Sequence, residues 1–248
     1  MPSLAISPMD VRLLDAAPTD VFTDAEVAGV PEPVRRYLRA AITSGTRLAH
    51  AARLTMTGRI RLGVGWVPFR AAELLSPHRG FRFGARVGGL ITGSEAYADG
   101  WGQVHWSLLG LPIVNAFGPD VARGNAGRAA AEACWVPTAL LPRYGVRWTA
   151  DDDHHLRAAF PIDGLACDVR LTVDDEARVT AVRLARWGDP DGTGTWGWHR
   201  FGLDVTGYAS FGGLTVPAVG IAGWHPDTDR WDRGAFLQCH LTALDPVT

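Results

Sequence analysis

From residue 51 onward, apolar and polar residues alternate along most of the chain, and turn dipeptides interrupt the alternation about every ten residues. Leu54, Met56, Ile60 and Leu62 are interleaved with Thr55, Thr57, Arg59 and Arg61. A period of two puts successive side chains on opposite faces, so this run reads as a strand with one buried face. Further strands are predicted over 66–75, 80–87, 94–97, 101–109, 155–160, 167–173, 179–187, 198–211, 214–221 and 236–244. Asp99-Gly100, Asp163-Gly164 and Gly212-Gly213 are tight-turn signals between them. About ten strands at this spacing form an antiparallel sheet that must curl or close. The expected fold is mostly β within the α+β class, a curved antiparallel sheet or half-open β-barrel.

Two helices interrupt the pattern. One is predicted over 31–43, where Pro31 and Pro33 open the helix, Val34, Leu38, Ala41 and Ile42 share a face, and Arg35, Arg36 and Arg39 face out. A short helical start at Thr23, with Glu26 three residues on, precedes it. The second is predicted over 127–141, Ala-rich and kinked or split by Pro137. Residues 1–25 read as a loosely ordered arm and 26–248 as a single domain, since no repeat or linker divides the chain.

Composition removes several function classes. The chain has 248 residues, 47% of them apolar, enough for a sizeable core. All 24 basic residues are Arg, which excludes Schiff-base, phosphate-loop and pyridoxal-phosphate lysines. Net charge is −2 and no basic run stands out, so neither nucleic acid nor an anionic membrane surface is an expected partner. Cys134, Cys167 and Cys239 are far apart and form no CxxC, which disfavours a disulfide framework or structural zinc. The N-terminus lacks the pattern of a signal peptide, and no apolar run approaches the length of an integral membrane segment. A cytoplasmic location is expected. Oligomeric state is not legible.

Ten Trp dominate the candidate site. In a barrel mouth such rings would line a pocket for a flat or long apolar ligand. The candidate ligand-binding residues are Tyr97, Trp101, Trp106, Trp135, Trp187, Trp198 and Trp224. Glu132 sits among alanines on the second predicted helix, either as a general acid/base or as half of a buried ion pair. Arg186, on a mostly apolar strand face with Val182 and Leu184, is the predicted partner, and His199 a candidate proton shuttle. The run Asp151-Asp152-Asp153-His154-His155 is richer in metal-ligand types than in metal-ligand geometry, because neighbours on a strand diverge, and it reads as a polar turn. No metal and no cofactor are expected. Gly192-Thr193-Gly194-Thr195 reads as a flexible lid and not as a phosphate loop, because the acidic Asp189-Pro190-Asp191 precedes it and no helix is predicted after it, and GxSxG does not occur.

Six segments carry a family resemblance. They are VPEPVRRYL (30–38), YADGWGQ (97–103), AEACWVPTALLP (131–142), WTADDDHH (148–155), RWGDPDGTGTWGWH (186–199) and FGGLTVP (211–217). Together they resemble a bacterial family of unknown function, common in high-GC genomes, over about residues 30–244. The resemblance implies a fold similar to the half-open barrels of bacterial lipoprotein carriers, though without their export signal. Two functions are consistent with these residues. The first is cofactor-independent acid/base conversion, a cyclisation or isomerisation, of an apolar or aromatic small molecule by Glu132, Arg186 and His199. The second is a non-catalytic carrier or sensor of lipids or lipophilic metabolites.

Overall fold

The computed structural model describes residues 13, 14, 20–63 and 65–248. Most of the arm expected over 1–25 lies outside them. The described part is docked rather than loose: Leu13 and Phe22 are buried, and the Phe22 N–H donates to the Thr46 carbonyl at 2.8 Å.

Among the described residues thirteen strands form one antiparallel sheet. They are β1 (Ala51–Leu62), β2 (Gly65–Ser76), β3 (Gly80–Val87), β4 (Ile91–Ala98), β5 (Trp101–Leu108), β6 (Leu111–Phe117), β7 (Arg147–Ala150), β8 (His155–Ile162), β9 (Leu165–Val173), β10 (Val179–Gly188), β11 (Gly197–Phe211), β12 (Leu214–Trp224) and β13 (Ala235–Val247). Thirteen replaces the ten or so expected. β6 escapes a reading by alternation because all of its residues but Ala116 are exposed. β7 is only four residues long. The spatial order is β6-β5-β4-β3-β2-β1-β13-β12-β11-β10-β9-β8-β7. Within β1–β6 and within β7–β13 each strand pairs with the next in sequence, and β1 pairs with β13 to join the two halves.

This order has a geometric consequence. β6 and β7 are opposite edges of the sheet, yet they are consecutive strands. The intervening segment must therefore travel from one edge to the other. It does so as helix α2 (Pro119–Glu132), which follows α1 (Glu32–Ala41) in the chain. α2 touches β3, β4 and β5 on one side and β9 and β10 on the other, so the sheet is curled around it. The Gly100 N–H, at the β4–β5 turn, donates to Asp163 Oδ2, at the β8–β9 turn, at 3.0 Å. α1 packs its Val34, Tyr37, Leu38 and Ala41 face into the core beside β7 and β12.

The helix predicted over 127–141 is displaced. It starts at Pro119, a residue suited to a first helical turn, and stops at Glu132. Beyond that point the chain makes short 3-10 turns at Ala133–Trp135, Pro137–Leu140 and Pro142–Tyr144. Pro137 has no N–H to give an α-helix and bars the α region to the residue before it; Val136 is accordingly at φ −126°, ψ 67°. The early start was hidden by Gly124 and Asn125, poor helix formers that serve packing here, as does Gly127 where the prediction begins. A Cβ on Gly124 would lie 2.9 Å from the Trp187 carbonyl oxygen, and one on Gly127 would lie 2.9 Å from Arg186 Cγ. The helix backbone thus rests directly on β10. Among the described residues no helix is long and apolar enough to cross a membrane.

Candidate functional site

Between α2 and the concave face of the sheet lies a cavity of about 310 Å³, within the small-molecule range. Its lining is largely apolar and aromatic, with Met56, Phe69, Phe83, Phe201 and Phe236 supplied by five different strands. Of the predicted ligand-binding residues, Trp106, Trp135, Trp187 and Trp224 line it. Trp106 lies over Gly93, its partner directly across the β4–β5 ladder, where a Cβ would stand 2.3 Å from the indole. Trp224 lies over Gly188 in the same manner, at 2.4 Å. At each glycine the missing Cβ leaves the space that the indole occupies. Trp135 is fixed by its Nε1–H, which donates to the Pro217 carbonyl at 2.9 Å, and Trp187 by its Nε1–H to Asp120 Oδ1 at 2.8 Å.

The other predicted residues lie elsewhere. Tyr97 is fully buried in the core and Trp101 is 45% exposed at the β4–β5 turn; neither lines the cavity. Trp198 is 59% exposed and faces a broader, more polar groove of about 1180 Å³ along β8–β11. The alternation put Trp187 and Trp198 in strands correctly. Which face of each strand is concave depends on the curl of the whole sheet, and alternation does not carry that. Trp196, which the prediction left out, does line the cavity. It follows the predicted lid, and that loop is pinned: the Thr193 and Gly194 N–H groups donate to the Asp189 carboxylate at 3.0 and 2.6 Å.

Charge enters the cavity through two arginines. Arg128 of α2 donates to three carboxylates, Glu132 Oε1 at 2.8 Å, Glu95 Oε2 at 2.7 Å and Glu73 Oε2 at 3.3 Å. Ladder register explains the convergence. Glu73 of β2 is opposite Phe83 of β3, which is opposite Glu95 of β4, so all three side chains share one row on one face. The Arg128 guanidinium lies 4.4 Å from the Phe83 ring centre and reaches the carboxylates on either side. The predicted Glu132–Arg186 pair is therefore corrected: Glu132 pairs with Arg128, one helical turn before it. That i,i+4 spacing was readable once the helix is known to run through residue 128. Glu73 and Glu95 needed the strand register as well, although a Glu inside the apolar run 71–75 was itself a signal.

Burial, then repulsion from Glu132, holds the Glu73 carboxyl well above the usual carboxylate range. Glu73 Oε1 and Glu132 Oε2 are both buried without a partner of their own. A proton on Glu73, donated to Glu132, satisfies both oxygens. A carboxyl with its pKa raised by folding contributes its full stability below the ordinary value near 4.5 and loses it as pH rises through the folded pKa. Gln at this position keeps the acceptor for Arg128 and a donor for Glu132 and does not titrate. Glu73→Gln is expected to match wild type within about 1 kcal/mol at pH 5 and to exceed it at pH 9. Urea midpoints measured across that range check this, and parallel pH profiles for the two proteins would refute the shared proton.

Arg186 of β10 is placed differently. Its Nε donates to the Gly124 carbonyl of α2 at 2.9 Å, and its guanidinium lies 4.6 and 5.0 Å from the ring centres of Phe201 and Trp224. Burial, then repulsion from Arg128, pushes its pKa down to about 10, so it remains a cation at neutral pH. His199 faces Arg186 across the β10–β11 ladder but packs against Trp224 and His225 and does not line the cavity. The polar run at 151–155 is a turn in which Asp152 Oδ1 accepts the N–H groups of His154 and His155 at 2.8 and 2.9 Å.

Fold and site together define a curled antiparallel half-barrel, crossed by one helix, around an apolar pocket with a charged patch. The chain belongs to the family of unknown function DUF6544, whose profile matches residues 20–235. No curated protein matches it. Among solved structures it is similar to a putative outer membrane lipoprotein-sorting protein domain from Vibrio parahaemolyticus, at 12% identity over 80% of this chain and 86% of that one, with a TM-score of 0.38. It is also similar to a LolA superfamily protein from Nitrosomonas europaea, at 9% identity over 87% and 92%, TM-score 0.44. A DUF1329 family protein from Desulfovibrio piger is similar at 9% identity over 80% and 86%, TM-score 0.39.

Proposed function

We propose that this protein holds an apolar small molecule in the concave cavity and releases it unchanged, as a carrier or sensor. The observation that carries this reading is where the carboxylates are spent. Glu95 and Glu132, the glutamates that line the cavity, each give an oxygen to Arg128. Glu73, whose proton affinity is raised by burial and by Glu132, is fully buried and does not line the cavity. A general acid or base must reach the atom it protonates, and the carboxylates on the lining are engaged elsewhere, Glu95 and Glu132 with Arg128 and Asp189 with the Thr193 and Gly194 N–H groups. His199, the predicted shuttle, is turned onto Trp224. Apart from Arg186, Asn125 and Asp189, most of the remaining wall is ring and aliphatic surface, suited to burying a hydrocarbon body.

Binding is tested with Nile red, a neutral apolar dye. Wild type is expected to bind it and brighten it. Ala222→Leu, which places a larger side chain into the cavity wall, is expected to weaken the dye by roughly tenfold while the circular dichroism is kept. Unchanged binding by the variant would place the dye elsewhere and overturn the cavity assignment. Conversion is tested by native mass spectrometry of wild type and Glu132→Gln isolated from the same host. The carrier reading expects the same molecules in both. A distinct, unconverted molecule held only by the variant would establish acid/base chemistry instead.

A further inference from the structure

We propose that the bound molecule carries a carboxylate, which Arg186 grips while the apolar remainder fills the aromatic part of the cavity. The proposal rests on the reading of the cavity as a binding site and names the chemistry of its ligand. It begins from the contrast between the two arginines that line the cavity. Arg128 places Nε, Nη1 and Nη2 each on a different carboxylate. Arg186 uses Nε alone, on a backbone carbonyl, and its two terminal nitrogens make no hydrogen bond among the described residues. A guanidinium has five N–H donors, so most of those on Arg186 are unspent.

The surroundings fix what the unspent donors can take. Phe201 and Trp224, whose rings stand at 71° to each other, wall the guanidinium with ring centres at 4.6 and 5.0 Å. The Gly124 bond anchors the Nε edge, and Gly127 leaves room for the side-chain stem against α2. A guanidinium anchored at Nε and walled by two rings presents its terminal edge, a flat pair of donors. That edge matches a carboxylate, which accepts two parallel hydrogen bonds, better than any single hydroxyl or carbonyl. Within a low-dielectric cavity an unpaired cation is costly, and an anion that arrives with its own apolar tail removes that cost as it binds. Phe201, Trp224 and Phe236, packed on one another at 5.1 and 6.2 Å from Phe201, continue from the guanidinium as the surface for that tail.

The probes are decanoate and decan-1-ol, which share a chain and differ in the head, titrated into the purified protein by competition with Nile red. Wild type is expected to bind decanoate about ten- to a hundredfold more tightly than the alcohol. Arg186→Met, which keeps the stem and loses the donors, is expected to bind both alike, at the affinity wild type has for the alcohol. Arg186→Lys keeps the charge without the paired edge and is expected to fall between. The wild-type comparison needs no variant and stands even if a substitution disturbs folding. Equal affinity for acid and alcohol in wild type, or a preference for the acid that survives in Arg186→Met, overturns the carboxylate assignment while leaving the cavity reading intact. Displacement of the dye by neither molecule overturns the cavity reading itself.

Discussion

Arg128→Met is expected to lower the unfolding free energy by about 3–5 kcal/mol, the loss typical when one partner of a buried ion pair is removed. For a chain of this length that corresponds to a fall of melting temperature on the order of 10 °C. Arg128 is the shared partner of three carboxylates, and its side chain and theirs are all less than one-fifth exposed. Met fills much of the volume above Phe81 and Phe83 but leaves the largely buried Glu95 and Glu132 carboxylates without their cation. The loss should therefore come from the stranded carboxylates more than from packing. The triple variant Arg128→Met, Glu95→Gln, Glu132→Gln separates the two. It is expected to recover most of the stability, because replacing all members of a buried charged group is far cheaper than removing one. Thermal and urea unfolding of the single and triple variants measure this. A single-variant loss below about 1 kcal/mol, the level of an exposed ion pair, would mean that water reaches the cluster and that the cavity floor is wet.

The strands with the most regular alternation were readable almost to the residue. Gly80–Val87 coincides with its prediction, and His155–Ile162 shows an unbroken exposed/buried rhythm. Local signals failed where tertiary contact decides. β6 is apolar at Leu111, Ile113, Val114 and Phe117 yet exposed at all of them, so no burial rhythm was imprinted on its sequence. The N-terminal half of α2 looked unhelical because its glycines answer to β10 and not to helix propensity. The site divides the same way. That aromatic rings line a cavity was legible from composition, but which rings do so depends on the sense in which a thirteen-stranded sheet curls. The buried carboxylate row depends on Glu73, Phe83 and Glu95 coming into register across three strands. Register is a property of pairs, and a single strand's sequence does not carry it.

The seating of α2 on β10 gives the second large effect. Gly124→Leu is expected to destabilise the fold by about 1–3 kcal/mol, the cost of overpacking a close contact. On an exposed helix the same change would stabilise by roughly 1 kcal/mol, because Leu is a strong helix former and Gly a weak one. Any loss is therefore steric. The first atom of the new side chain meets the Trp187 carbonyl oxygen at 2.9 Å, and backbone in the middle of a sheet has little freedom to move aside. Beyond it lies the Trp196 ring at 3.5 Å. The helix must instead lift, and lifting it breaks the bond from Arg186 Nε to the Gly124 carbonyl and widens the cavity that α2 roofs. Nile red affinity should fall with stability, by roughly tenfold. Gly127→Ala is the milder comparison, because its new Cβ meets side-chain atoms of Arg186 first, Cγ at 2.9 Å and Cβ at 3.5 Å, and backbone only at 3.7 Å. Its effect on stability should be near zero, with the helix-propensity gain set against a small displacement of the guanidinium. Loss at 124 with near-neutrality at 127 identifies backbone contact as what holds the helix in place. Stabilisation by both would mean that α2 rides clear of β10, and the cavity would then owe its shape to the sheet alone.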